Sequence, residues 1–160
     1  MGIFGRKPGK ADSLEPHEAV LSLLFLAMTS DGLVQTEERK RLRQILQRVR
    51  LFHRLDPEDL ERARSRFRLL RAEYGRKRLL DHAARFVAPE ARAATYALVL
   101  ELVLADGVIK DTEAEYAEKV RRALRLPEQD ARKIFHTLQT GCVLTNVSEG
   151  GLTFAPADKE

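Results

Sequence analysis

The sequence predicts an all-α protein, a single bundle of about seven helices built from two similar halves. Three observations lead to this prediction: apolar residues at helical spacing without a competing strand signal, prolines just inside several helix starts, and a repeat at a fixed offset. The chain has 160 residues, of which 44% are hydrophobic and 32% charged. This balance suits one domain with a strongly ionic surface.

Proline and acidic residues mark the predicted helix starts. Pro16, Pro57, Pro89 and Pro127 each precede an apolar pattern and have acidic neighbours, as is usual in the first turn of a helix. We predict helices over residues 16–30, 36–50, 57–73, 76–87, 89–105, 112–125 and 127–140.

Two of these helices are apolar nearly all round, and one has a sharply defined apolar face. The first and fifth helices lack a polar side, which predicts a central pair covered by the others. The third helix follows Asp56, a good N-cap. Its apolar residues recur three and four positions apart, which places one face inward: Leu60, Ala63, Phe67, Leu70 and Tyr74.

The segments outside residues 16–140 have no helical period. Residues 1–15 are predicted to be a loose tail. Residues 141–160 are predicted to be an extended or disordered tail that four apolar residues could dock on the domain: Val143, Leu144, Leu152 and Phe154. The single cysteine, Cys142, cannot form an internal disulfide, and no apolar stretch reaches the ~20 residues of a membrane span. We therefore expect a cytoplasmic protein.

An internal repeat appears when the chain is shifted by 75 residues. Asp31-Gly32-Leu33-Val34 then falls on Asp106-Gly107-Val108-Ile109, and Glu38 falls on Glu113. Each copy contains an apolar helix, an Asp-Gly turn, an amphipathic helix and a proline-initiated third helix. The copies cover about residues 16–73 and 89–140, and two such units would bury a common core.

The repeated pattern, Asp-Gly-x-(Val or Ile)-x-x-x-Glu between an apolar and an amphipathic helix, resembles the TerB-like (tellurite-resistance) family of bacteria. Ala105-Asp106-Gly107-Val108-Ile109 with Glu113 matches closely, and Ser30-Asp31-Gly32-Leu33-Val34 with Glu38 nearly as well. The resemblance covers about residues 16–140. It implies an all-α fold of two pseudo-symmetric repeats, no known catalytic activity, a link to tellurite or general stress responses, and cation binding by acidic residues.

The acidic turns are the candidate metal site. Asp31 with Glu38, and Asp106 with Glu113, have the spacing of the second half of an EF-hand loop, whereas the early ligand positions are not acidic. A complete EF-hand is therefore excluded, and Ca²⁺ or Mg²⁺ would bind weakly unless the two turns converge. Two structural alternatives stay open. Each turn can simply end one helix and open the next, or each glutamate can accept hydrogen bonds from its own turn.

Basic residues are concentrated in the middle of the chain. Residues 39–85 contain 16 Lys and Arg against 6 Asp and Glu, which indicates an anionic partner. The candidate contacts are Arg64, Arg68, Arg71, Arg76, Lys77 and Arg78. On the third helix, however, Arg62 and Arg66 lie on the opposite flank of the apolar stripe from the first three. Aromatic residues that could stack on bases are scarce, so a solvated face, or docking to the protein's own acidic ends or to an acidic protein partner, is favoured over nucleic acid.

We expect a non-enzymatic binding or scaffold module, because the sequence contains no glycine-rich phosphate loop, no Gly-x-Ser-x-Gly elbow and no His-x-x-x-His pair. No cofactor other than a divalent cation is indicated. The alternative is a basic adaptor that holds nucleic acid or an anionic membrane surface through its Arg- and Lys-rich central helices, and peripheral membrane contact stays open.

Overall fold

The computed structural model describes residues 13–29, 36–105, 107, 109–148 and 151–156. Within these residues the chain forms six α-helices followed by a two-stranded antiparallel hairpin. The elements, in chain order, are α1 (Pro16–Met28), α2 (Thr36–Arg48), α3 (Pro57–Arg85), α4 (Arg92–Val103), α5 (Asp111–Ala123), α6 (Glu128–Gln139), β1 (Cys142–Ser148) and β2 (Gly151–Pro156). The all-α prediction is confirmed for the helical domain.

The first and fifth predicted helices, α1 and α4, form the centre of the bundle. They contact each other, and nine of the 13 residues of α1 and ten of the 12 residues of α4 are buried. α3 and α5 also pack on α1, whereas α2, α5 and α6 pack on α4. Tyr116 of α5 is fully buried, and its hydroxyl donates a hydrogen bond of 2.5 Å to the backbone oxygen of Leu23 in α1. The burial of apolar side chains on all sides of α1 and α4 therefore stabilises their central position.

Two of the proline-initiated helices begin with reciprocal capping. Pro16 and Pro57 occupy the first turns of α1 and α3. At the start of α3 the Asp59 N–H donates to Asp56 Oδ1 at 2.8 Å, and the Asp56 N–H donates to Asp59 Oδ2 at 3.1 Å. The predicted N-cap at Asp56 is confirmed, and its carboxylate also favours the positive end of the helix dipole.

The third and fourth predicted helices are joined in one kinked element. α3 runs from Pro57 to Arg85, and its backbone is non-helical at Gly75, where φ is 75° and ψ is 170°. This φ lies in the left-handed region, which glycine adopts without the steric cost that a Cβ brings. Both halves of α3 contribute buried residues, and the helix packs on α1 and α5.

The offset of 75 residues carries the bounds of α2, Thr36–Arg48, onto those of α5, Asp111–Ala123. Both helices begin with a buried glutamate, Glu38 in one and Glu113 in the other, and continue with apolar residues on the same face. The offset found in the sequence is therefore preserved at this pair of helices. Superposition of the two halves stays a prediction.

The C-terminal segment differs from the predicted extended or disordered tail, because β1 and β2 pair as an antiparallel hairpin with an irregularity between Leu144 and Asn146. Val143 and Leu144 are buried, and Leu152 and Phe154 are half-buried against the core, so the docking of these four residues is as expected. A sequence signal for the hairpin was present. Gly150 and Gly151 separate two runs rich in Val, Leu, Thr and Phe, a pattern typical of hairpins.

None of the helices in the described part of the chain combines the length and the apolar character needed to span a membrane.

Candidate functional site

The two acidic turns are only partly within the described residues. Asp31 and Asp106 lie outside them. Glu38 and Glu113, at the starts of α2 and α5, have relative exposures of only 4% and 2%. Both carboxyl groups are thus removed from solvent, unlike most glutamates in the first turn of a helix.

Glu113 takes part in the start of its own helix. Its Oε2 accepts a hydrogen bond of 2.9 Å from the backbone N–H of Lys110, the residue just before α5. This contact favours the structural alternative, in which the glutamate accepts hydrogen bonds from the turn. Among the described residues, which exclude both turn aspartates, no group of three or more His, Cys, Asp or Glu is arranged to hold a metal ion. Cation binding at the turns stays a prediction.

The six basic candidates do not form one surface. Arg64, Arg68 and Arg71 lie together in the first half of α3 and line a groove above α1. Arg62 and Arg66, on the other flank of α3, line a separate, acidic depression with Glu58 and other carboxylates, so the predicted separation of the two arginine sets is confirmed. Arg76 and Lys77 follow the Gly75 kink and line a different groove, while Arg78 lies over the ring of Tyr74, 5.5 Å from its centroid.

We call the first of these cavities the arginine groove. Its volume is about 580 Å³. The floor is apolar and the rim is formed by arginines from two helices. The residues that line it are Phe25, Met28 and Thr29 of α1 and its C-terminal end, Arg39, Leu42, Arg43 and Leu46 of α2, and Arg64, Phe67, Arg68 and Arg71 of α3. Phe25 and Phe67 pack against each other on the floor, with ring centroids 5.2 Å apart.

Most arginines of the arginine groove are not paired with a carboxylate among the described residues. None of the described residues that line it is acidic. Arg68 lies 3.7 Å from Glu61, but both side chains are strongly exposed, so this ion pair adds little. In the described part of the chain, no ion pair to a carboxylate is formed by the remaining four: Arg39, Arg43, Arg64 and Arg71. The groove is therefore a concentrated source of positive potential.

Arg76 has a different role from its neighbours in sequence. Its guanidinium donates to the backbone oxygen of Leu26 at 2.8 Å and to Thr29 Oγ1 at 2.7 Å, and also contacts the Thr29 backbone oxygen at 3.2 Å. The two backbone oxygens lie at the C-terminal end of α1, where carbonyls lose the amide partner four residues on that they have inside a helix. Burial, together with the nearby charge of Arg71, lowers the pKa of Arg76 from its ordinary value. This guanidinium is engaged in ending α1.

The groove beside Arg76 and Lys77 has mixed charge. It has a volume of about 550 Å³ and lies between α1, the second half of α3, and α5. Its rim carries Lys119 and Arg122, but also Asp81 and Glu115. Opposite charges at the same rim partly cancel, so this groove has a weaker preference for an anion than the arginine groove has.

Comparison with known families is decisive for the helical domain. The family model described as "Tellurite resistance protein TerB" matches residues 17–136, which is most of the chain and all six helices apart from their extreme ends. The chain belongs to the TerB family. No curated protein and no solved structure matches it.

Within this TerB-family chain, two arginines of the groove lie in the basic region 39–85 but were not among the candidate contacts predicted from the sequence. Arg39 and Arg43 of α2 stand four residues apart, next to Leu42 and Leu46, which have the same spacing. That pattern places a row of charge beside an apolar row on one helix face. It was a usable signal, but only the folded arrangement brings it opposite α3.

A buried ion pair was also not predicted from the sequence. Glu101 of α4 is 4% exposed, and Arg48 of α2 contacts its two oxygens at 2.7 and 2.6 Å. Arg48 Nε also donates to the backbone oxygen of Leu144 in β1 at 2.8 Å. Desolvation raises the pKa of Glu101 above its ordinary value, although Arg48 and the more distant Arg41 oppose the shift. This cluster ties α2, α4 and the hairpin together.

Proposed function

We propose that this TerB-family protein is a non-enzymatic binding module whose arginine groove receives an acidic segment of a partner protein. The observation that carries the proposal is the convergence of five arginines from α2 and α3 around an apolar floor, without an acidic residue among the described lining. A carboxylate-rich segment is the complement of such a rim, because guanidinium groups bind carboxylates through directional, charge-assisted hydrogen bonds.

The character of the floor supports a protein partner over nucleic acid. Base recognition by single-stranded nucleic acid binders needs exposed aromatic faces, whereas Phe67 is buried and Phe25 packs against it. An anionic membrane surface is disfavoured for a related reason. The large apolar side chains most exposed among the described residues are Leu51 and Leu69, and neither lines the arginine groove. Membrane-surface proteins usually present such side chains beside their basic residues.

The proposal is tested with a fluorescein-labelled polyglutamate peptide, whose binding is followed by fluorescence anisotropy. The variant Arg64→Ser/Arg71→Ser removes two rim charges. If each contact contributes about 0.5–1 kcal/mol, binding should weaken roughly five- to thirty-fold. The matched control, Arg132→Ser/Lys133→Ser, removes the same charge from the exposed surface of α6 and should leave binding within about twofold of the parent.

Equal weakening in both variants would show attraction to net charge alone and would reject the groove. The same series is repeated with duplex DNA and with phosphatidylserine vesicles. Tighter, groove-dependent binding to either of these would replace the proposal with the basic adaptor function.

The finer family properties are also proposals. Cation binding at the Asp-Gly turns is supported by the recurrence of the Asp and Glu pair in both halves of the sequence. Calorimetric titration with Ca²⁺, Mg²⁺ and Zn²⁺ should give binding heat that is reduced in Asp106→Asn and Glu113→Gln; absence of heat in the parent protein would reject the idea. The link to tellurite or stress responses rests on the family resemblance.

A further inference from the structure

We infer that the acidic segment bound in the arginine groove is an amphipathic α-helix, seated with its apolar face on the groove floor and its carboxylates against both rows of arginines. The inference rests on the proposed function, because it names the shape of the same partner. It is carried by the arrangement of the two groove walls.

The two walls share one spacing of their lining residues. α2 contributes Arg39, Leu42, Arg43 and Leu46, and α3 contributes Arg64, Phe67, Arg68 and Arg71. In both helices the spacing from the first residue is three, four and seven, so each set occupies one helix face. In α2 two arginines alternate with two leucines, whereas α3 contributes three arginines and Phe67. Leu42 and Phe67 are buried, and the arginines of both walls are exposed or half-buried.

The walls also leave room between them. α2 packs on α4, and α3 packs on α1, but α2 and α3 make no extensive contact with each other. The α1 surface between them carries Phe25, which is half-buried, and Met28, which is 8% exposed. In a larger bundle, a further helix would fill the space between α2 and α3.

The length of the groove sets the length of the contact. Seven residues along each wall correspond to roughly 10 Å, or two helical turns. A helix with apolar residues at positions i, i+3, i+4 and i+7 presents an apolar stripe of that length. Acidic residues on both sides of the stripe would then face Arg39 and Arg43 on one wall, and Arg64, Arg68 and Arg71 on the other.

An extended acidic segment does not fit these features as well. Its side chains alternate between opposite faces, so a strand could direct either its apolar residues to the floor or its carboxylates to one rim. A helix offers an apolar stripe and two acidic flanks at the same time. The paired arginine rows consequently favour the helix.

The test compares three labelled peptides on the unmodified protein: an amphipathic peptide with leucines at the helical spacing and glutamates at its flanks, a scrambled peptide of the same composition, and polyglutamate. We expect the amphipathic peptide to bind about tenfold more tightly than the scrambled one. Backbone chemical shifts of the ¹³C-labelled amphipathic peptide should move to helical values when the protein is added.

The variant Leu46→Asn places a polar group on the floor. We expect it to reduce the affinity of the amphipathic peptide to that of the scrambled peptide, which is a larger loss than for polyglutamate, because polyglutamate has no apolar side chain to place on the floor. Leu60→Asn is the matched control, because Leu60 is also half-buried but does not line the groove. Should either variant fail to fold, the comparison of peptides on the unmodified protein still tests whether the bound segment is an amphipathic helix.

The outcomes separate the two proposals. Equal affinity of the amphipathic and scrambled peptides, with polyglutamate still bound through Arg64 and Arg71, would overturn the helix and keep the acidic partner. Tight binding without helical chemical shifts would also overturn the helix. Failure of all three peptides to bind would overturn the proposed function itself.

Discussion

Replacement of Arg48 by methionine should be among the most destabilising single changes in this domain. The side chain lies between Glu101 and the backbone of Leu144, and Met keeps its apolar length while removing its charge. Glu101 would remain 4% exposed without its main counter-charge. Breaking a buried ion pair in this way costs about 3–5 kcal/mol.

The lower end of this range is expected, because Arg41 lies 3.7 Å from Glu101 and would retain part of the compensation. We therefore predict a loss of about 3 kcal/mol in the free energy of unfolding at pH 7. Urea unfolding followed by circular dichroism measures this directly. The matched control is Arg41→Met, whose longer and more exposed contact should cost below about 1 kcal/mol.

The pH dependence gives an independent check. Burial already raises the pKa of Glu101, so the folded state binds the proton of this carboxyl group more tightly than the unfolded state does. For a carboxyl group with a raised folded-state pKa, the favourable contribution is present below the unfolded-state pKa and is lost as the pH rises through the folded-state pKa. Without Arg48 the pKa of Glu101 should rise further. The deficit of Arg48→Met should therefore shrink as the pH falls from neutral towards 5.

Replacement of both partners tests whether the stability lost in Arg48→Met comes from leaving the buried charge of Glu101 unpaired. The offset of 75 residues places Glu101 on Leu26, so we expect leucine to fit at position 101. Arg48→Met/Glu101→Leu should recover most of the stability lost in Arg48→Met, since apolar groups can replace a buried pair at little cost. A single variant that loses less than about 1 kcal/mol, or a deficit that is independent of pH, would refute the reasoning.

Three further changes test separate parts of the structure. Gly75→Ala should destabilise the protein by about 1–2 kcal/mol through backbone strain alone, because nothing lies within 4 Å of the added Cβ; a melting temperature equal to that of the parent would contradict the kink. Tyr116→Phe removes the donor to Leu23 and should cost about 1–2 kcal/mol in urea unfolding. Burial raises the pKa of Tyr116 well above its ordinary value. The contribution of its hydroxyl to the free energy of unfolding should therefore be constant at neutral pH and be lost only in strong alkali, as the pH rises through the folded-state pKa. A loss at lower pH would argue against the buried position. Glu113→Ala should cost about 1 kcal/mol or more by leaving the Lys110 N–H without its acceptor, and faster amide exchange at Lys110 is the accompanying readout, with unchanged exchange as the contrary result.

Sequence periodicity was sufficient for the helical domain because the helices are specified locally. Pro16, Pro57 and Asp56 fix helix starts through the first turn alone, and the apolar character of α1 and α4 already requires a central position. The hairpin was less accessible. Its strands are short, and β1 is held partly by Arg48, which is 96 residues distant from Leu144 in the chain. Local pattern carries little information on such a contact.

The candidate site shows the same division between local and long-range information. Helical spacing correctly separated Arg64, Arg68 and Arg71 from the opposite flank of α3, because only the geometry of one helix is needed. The contribution of α2 depends on how two helices are placed across α1, and single-helix reasoning contains no information about that distance. Half of the groove was therefore predictable, and the opposite wall was not.

Arg71 and Arg76 illustrate why charge in a sequence does not by itself identify a binding residue. Both belong to the basic run and are five residues apart, but Gly75 lies between them and turns the chain. Arg71 remains on the rim of the groove, while Arg76 is directed to the carbonyl oxygens of Leu26 and Thr29. A guanidinium that ends a helix is held by fixed backbone acceptors and would lose those hydrogen bonds on turning to a ligand. Substitution of Arg76 should consequently affect folding, whereas substitution of Arg71 should affect binding, and this difference follows from the conformation of the single glycine between them.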